Sequence, residues 1–145
     1  MFSIYQAGKS PQLSHTALPA APGTYAVGQL LTLSGGKLAA ISAARTTSAP
    51  YLCDFAGTIP ASPVAGLPPL EGGDTIPVIP VEKNIVYETS LSAAAVISNG
   101  DKLQIAAGGL QVNKTAAGSF EIVHAMGAAK IGDTVRGRFI EPIGV

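Results

Sequence analysis

Asn99-Gly-Asp-Lys-Leu-Gln-Ile-Ala-Ala-Gly-Gly-Leu-Gln-Val112 is the stretch that decides the fold class. Leu103 and Ile105, and again Leu110 and Val112, are spaced by two, with Gln104 and Gln111 between them, so as strands the two arms have one dry face and one wet face. Gly108-Gly109 separates the arms and predicts a hairpin turn. Gly100-Asp101 stands in front of the first arm: glycine supplies a positive φ and the aspartate carboxylate accepts a local backbone hydrogen bond, which is a turn with a mechanism.

The same grammar recurs on either side. Upstream, Tyr25 to Leu33 runs into Ser34-Gly-Gly36 and Lys37 to Ser42 runs out, a second hairpin with a glycine turn. Gly73-Asp74 and Gly132-Asp133 repeat the opening signal, and the segments 84–89, 119–125 and 133–140 bring the number of short β segments to about eight. Three aspartates could converge on Ca²⁺ only with further oxygen ligands, so these pairs read as turns. Leu91 to Ser98 is an alanine-rich run, the one fair helix candidate, and it fits a strand equally well. The chain is therefore expected to be mainly β, a single compact β-barrel-like domain.

Proline divides the chain. Ten of the eleven prolines lie between Pro11 and Pro80, where the missing N–H restricts regular pairing. Residues 1–24 show no sustained period and read as an extended N-terminal arm, leaving 25–145 as the β domain. Within that domain 56–80 is a proline-rich loop ending in an edge strand over 75–81. Phe2, Ile4, Tyr5 and Leu13 are large apolar residues in an arm too broken to form a core of its own. They are expected to be buried against a partner, in which case deletion of 1–13 would leave the melting point of the domain unchanged.

Composition narrows the function classes. Hydrophobic residues make up 47% of the 145, but 23 residues are alanine and there is no tryptophan, so Ile, Leu and Val must build the core. Charged residues are only 12%, nine of each sign, about half the usual globular share. A surface with so little charge suits self-association and lacks the basic field that nucleic acid requires. Neither a signal peptide nor a membrane span is indicated, since prolines and polar residues interrupt the uncharged stretch 10–36. Synthesis in a cytoplasm is expected.

Chemistry finds little purchase. Cys53 beside Asp54, with His15 and His124 elsewhere, is the nearest approach to a nucleophile set, but a free cysteine in an apolar run is ordinarily a small buried residue. His124 reads as a half-buried imidazole sharing a strand face with Phe120 and Ile122. No zinc spacing, phosphate loop or hydrolase motif occurs, so no enzyme activity, metal or cofactor is expected. Arg136 and Arg138 flank Gly137 and project from one strand face, either as a solvated face or as a grip on a partner's carboxylates.

Three stretches carry a resemblance: Ala26-Val-Gly-Gln-Leu-Leu-Thr-Leu-Ser-Gly-Gly-Lys37, Asn99-Gly-Asp-Lys-Leu-Gln-Ile-Ala-Ala-Gly-Gly-Leu110 and Ile131-Gly-Asp-Thr-Val-Arg-Gly-Arg-Phe139. In these the chain resembles bacteriophage head decoration, or capsid cement, proteins over roughly residues 25 to 140. The resemblance implies a β-barrel-like or β-tulip domain, commonly trimeric, on the outer surface of an icosahedral virion, clamping neighbouring major capsid protein subunits without a cofactor. Partner-contact residues would then be Phe2, Ile4, Tyr5, Leu13, Arg136 and Arg138. Alternatives are a tail-tube or neck ring protein and a small ligand-binding β-barrel.

Overall fold

The computed structural model describes residues 1–5, 15–60, 75–83 and 85–141. Fifteen strands and no helix occur among them. The first half contributes β1 (Ser3–Ile4), β2 (Thr16–Pro19), β3 (Gly23–Tyr25), β4 (Leu30–Ser34), β5 (Lys37–Ala40), β6 (Tyr51–Cys53), β7 (Gly57–Ile59) and β8 (Thr75–Pro80). The second contributes β9 (Tyr87–Leu91), β10 (Ala95–Ile97), β11 (Lys102–Ile105), β12 (Gln111–Lys114), β13 (Phe120–Ile122), β14 (Gly127–Ala129) and β15 (Thr134–Phe139). The chain is a single all-β domain, as its alternating patterns require.

The regular second half closes on itself. Strands pair in the order β9-β12-β11-β13-β15, and β15 returns to β9, giving a closed five-stranded barrel. Closure leaves no ladder edge between these strands. Period-2 alternation then sorts the side chains: Tyr87, Leu91, Leu103, Ile105, Val112, Phe120, Ile122, Val135 and Phe139 are buried inside. Glu88, Glu121, Arg136 and Arg138, at the intervening positions, are left more accessible. Gly137 is an inward position without a side chain, because a Cβ there would stand 2.6 Å from the Phe120 ring.

A second sheet, β2-β8-β6-β4-β5, lies against this barrel and curls around its own core. A bridge between Ala20 and Leu38 brings its two ends together. Consecutive residues of its strands face two different cores. Leu30 and Leu52 join the barrel cluster, whereas Leu31 and Cys53 join the second cluster with Leu38, Ile76 and Val78. The short ladder β3–β7 adds Tyr25 and Ile59 to that second core.

Several expectations change in three dimensions. The described parts of the stretch read as an arm, 1–5 and 15–24, are bound to the sheets: β1 pairs with β9, β2 with β8, and β3 begins at Gly23. Phe2 is only 2% exposed, with its ring 5.9 Å from that of Phe120 and 6.3 Å from that of Phe139. Its burial is therefore satisfied inside this chain and not by a partner, and deletion of 1–13 removes part of the barrel core. Ile4 packs against the same core. Leu13 lies outside the described residues, as do Gly73-Asp74 and 61–74 of the proline-rich loop.

β8 is an interior strand, not the edge expected from its prolines. It meets β2 through Thr75–Val78 and β6 through Val78–Pro80, so the two ladders overlap only at Val78. Pro77 lies beyond the last β6 partner of β8 and needs no ladder donor on that side; its carbonyl accepts from Asp54 N–H at 3.0 Å. The helix candidate 91–98 is instead the end of β9, a bend and β10, which pairs only with β14. His124 lies past the end of β13 and is exposed, not half-buried beside Phe120.

Candidate interaction surface

Arg136 and Arg138 do share the outer face of β15, and the ladders give each a carboxylate. Arg136 stands opposite Glu88 and donates from Nε to its Oε1 at 3.0 Å; Arg138 stands opposite Glu121 and donates from Nη2 to its Oε1 at 3.1 Å. Partly exposed pairs like these contribute only about 0–1 kcal/mol each, so their main effect is to fix the guanidinium groups in place. Tyr5 adds a second constraint on Arg136, whose Cζ lies 4.1 Å from the centre of the Tyr5 ring. Of the six partner-contact candidates, Tyr5 and Arg136 thus touch, Arg138 lies two residues along, and Phe2 and Ile4 turn inward.

Beside Arg136 the surface opens into a shallow cleft of about 220 Å³ lined by His124, Met126, Thr134 and Arg136. Met126 is followed directly by β14, which forms a two-stranded ribbon with β10. There Val96 faces Ala128 across the ladder, and both are exposed, while their neighbours Ile97 and Ala129 turn into the barrel core. Val96 is 58% exposed and Ile131, two residues past β14, is 70% exposed. With Val123 and Met126 they account for four of the six large hydrophobics exposed among the described residues. Three of these four fall within residues 123–131, and the fourth, Val96, pairs with that segment across the β10–β14 ladder.

Position on the ribbon is fixed by its turns. Ser98-Asn-Gly-Asp101 and Lys130-Ile-Gly-Asp133 are the same device: Gly100 and Gly132 have positive φ, and the aspartate Oδ2 accepts from the N–H three residues earlier at 2.8 Å. These are the turns expected from the Gly-Asp pairs, although the carboxylate reaches back along the chain. The Ser98 N–H and the Lys114 ammonium hold the Asp101 carboxyl below its ordinary pKa. Lys114 also donates to the Val96 carbonyl at 2.8 Å, tying the ribbon to β12.

The other candidate chemistry separates. His15 Nε2 meets Asp54 Oδ2 at 2.6 Å on the surface, whereas Cys53 points into the second core and donates its thiol to the Phe55 carbonyl at 3.2 Å. Adjacent strand positions face opposite ways, which keeps the thiol from the histidine. Burial pushes the Cys53 thiol pKa up, against the thiolate a nucleophile needs. No group of three metal-ligating side chains occurs among the described residues.

Val96, Met126 and Ile131 escaped the sequence reading because 91–98 was ambiguous and 127–129 is too short to register as a strand. The available signal was the in-out alternation Ala95-Val96-Ile97. No protein-family model matches the chain, and no curated protein matches it significantly.

Proposed function

We propose that this chain is a structural virion protein of the head-decoration kind. It self-associates, most simply as a trimer, and binds major capsid protein on the outer surface of an icosahedral head, clamping neighbouring subunits. The observation that carries the reading is Arg136, braced by Tyr5, beside the cleft with His124 and Met126, with the exposed Val96–Ala128 pair on the ribbon whose β14 strand starts directly after Met126. It combines apolar area with a braced guanidinium, the two ingredients of a protein contact. A closed barrel presents that surface rigidly, so little ordering cost attends binding.

The resemblance to capsid cement proteins supplies the choice of partner, and its motifs occupy structural positions that suit it. The Gly100-Asp101 and Gly132-Asp133 turns flank the ribbon, and the strands they open, β11 and β15, are barrel staves. In a trimer three copies of the surface would act together, and their effective concentration would convert modest single contacts into firm attachment. Cosedimentation of the purified protein with undecorated phage heads, with analytical ultracentrifugation of the free protein, tests the reading. Saturable decoration by a trimer is expected. A monomer that does not bind heads refutes the reading, and a closed ring of more than three copies that ignores heads points to a tail or neck component.

A further inference from the structure

We infer that Arg136 is the centre of a preorganised receptor for a single carboxylate, an acidic side chain presented by the partner protein; the identity of that partner rests on the function proposed above. The guanidinium is held on two sides. Glu88 Oε1 takes Nε at 3.0 Å, and the Tyr5 ring covers one face with its centre 4.1 Å from Cζ. Among the described residues neither terminal nitrogen has a hydrogen-bond partner, since Nε makes the only such bond of this side chain. Two adjacent terminal N–H groups in a fixed plane match the two oxygens of a carboxylate.

The cleft beside this guanidinium adds donors and no competing acid. Its lining is His124, Met126, Thr134 and Arg136, in a volume of about 220 Å³. The Thr134 hydroxyl can donate, and His124 carries a ring N–H in either protonation state. Met126 supplies an apolar wall beside these donors. A carboxylate suits the site better than a phosphate because Glu88 already balances the charge of Arg136. One further negative charge meets directed donors there, whereas a dianion adds repulsion from Glu88.

The bracing also explains why Arg136 and Arg138 differ. Both pair with a cross-strand glutamate, but Arg138 uses a terminal nitrogen for that pair and no ring stacks on it among the described residues. One of its two terminal nitrogens is therefore already shared with Glu121. Arg136 pairs through Nε and keeps both terminal nitrogens open among the described residues.

Titration of the full chain, with ¹⁵N-labelled arginine side chains, by an acetylated tetraglutamate peptide at about 0.15 M salt tests the inference. A saturable shift of the Arg136 Nε–Hε signal is expected. Arg136→Lys keeps the charge and loses the fork, and it should weaken the peptide about tenfold; Tyr5→Leu should weaken it about threefold by releasing the guanidinium. Equal affinity of wild type and Arg136→Lys, tighter binding of inorganic phosphate than of peptide, or no saturable shift each overturns the inference. A change of oligomeric state in Arg136→Lys also overturns it, because the carboxylate would then belong to a second copy. Head occupancy of the same variants separates the two proposals. Wild-type protein that binds peptide but not heads refutes the capsid function alone, and wild-type and Arg136→Lys protein decorating heads equally refutes the receptor alone.

Discussion

Phe2→Ala should destabilise the protein substantially, although the residue is one from the chain start. The Phe2 ring is buried against Phe120 and Phe139, at 5.9 Å and 6.3 Å, and its backbone N–H donates to the Gly28 carbonyl at 2.8 Å. Truncating a buried phenylalanine costs about 3–5 kcal/mol from lost transfer energy and the cavity left behind. β1 is only two residues long, so part of the void can close by local movement of this strand, which places the loss near the lower limit of about 3 kcal/mol. Domains of this size shift by very roughly 3 °C per kcal/mol, giving a fall of about 9 °C in Tm. Circular dichroism melts and urea titrations of wild type, Phe2→Ala and Phe2→Leu measure it, with the leucine variant expected between the other two. A Phe2→Ala melting point within about 2 °C of wild type, at unchanged urea m-value, would show that the first strand contributes nothing to the barrel and would refute the reasoning.

Three further outcomes follow from the same structure. Gly109→Ala should cost clearly more stability than Gly36→Ala by urea titration: both glycines have positive φ, near 75°, but a Cβ at Gly109 would stand 2.5 Å from the Leu30 carbonyl while the one at Gly36 meets open space. Stability should fall as pH rises beyond the alkaline range where thiol and phenol ordinarily titrate. Burial raises the pKa values of Cys53, Tyr25 and Tyr87, so the folded state holds protons that the unfolded chain releases, and unfolding curves at pH 8 and about pH 10.5 should show the loss. Val96→Asp, at an exposed ribbon position, should leave Tm within about 2 °C of wild type yet reduce occupancy on undecorated heads in cosedimentation, and unchanged occupancy would remove the ribbon from the contact surface.

Part of the candidate surface was legible. Arg136 and Arg138 were read correctly as sharing a face, because strand alternation is a local property of the backbone. Their partners were not, because Glu88 and Glu121 lie 48 and 17 residues away and reach the arginines only through strand pairing. Phe2 and Tyr5 were recognised as needing cover, and burial explains why; what covers each was decided by β1 pairing with β9. The apolar ribbon stayed hidden because three-residue strands carry too few positions to show a period.

The mainly β class and its local punctuation can be read along the chain, since these depend on nearest neighbours. Gly35-Gly36 makes a two-residue turn with both φ values positive, and Ser34 pairs with Lys37 across it, as a glycine pair between alternating arms requires. The second glycine pair, written in the same letters, came out differently. Gly108 donates to the Ile41 carbonyl, and the Gly109 carbonyl accepts from Leu30 N–H, so that turn docks the barrel on the other sheet. Long-range packing sets this docking, as it sets the parallel β9–β12 pairing and the facing of Leu30 and Leu31 into separate cores. A period of two states that neighbouring side chains point in opposite directions, but which surface waits on each side is set by strands far away in the chain, through the burial that their closure makes possible.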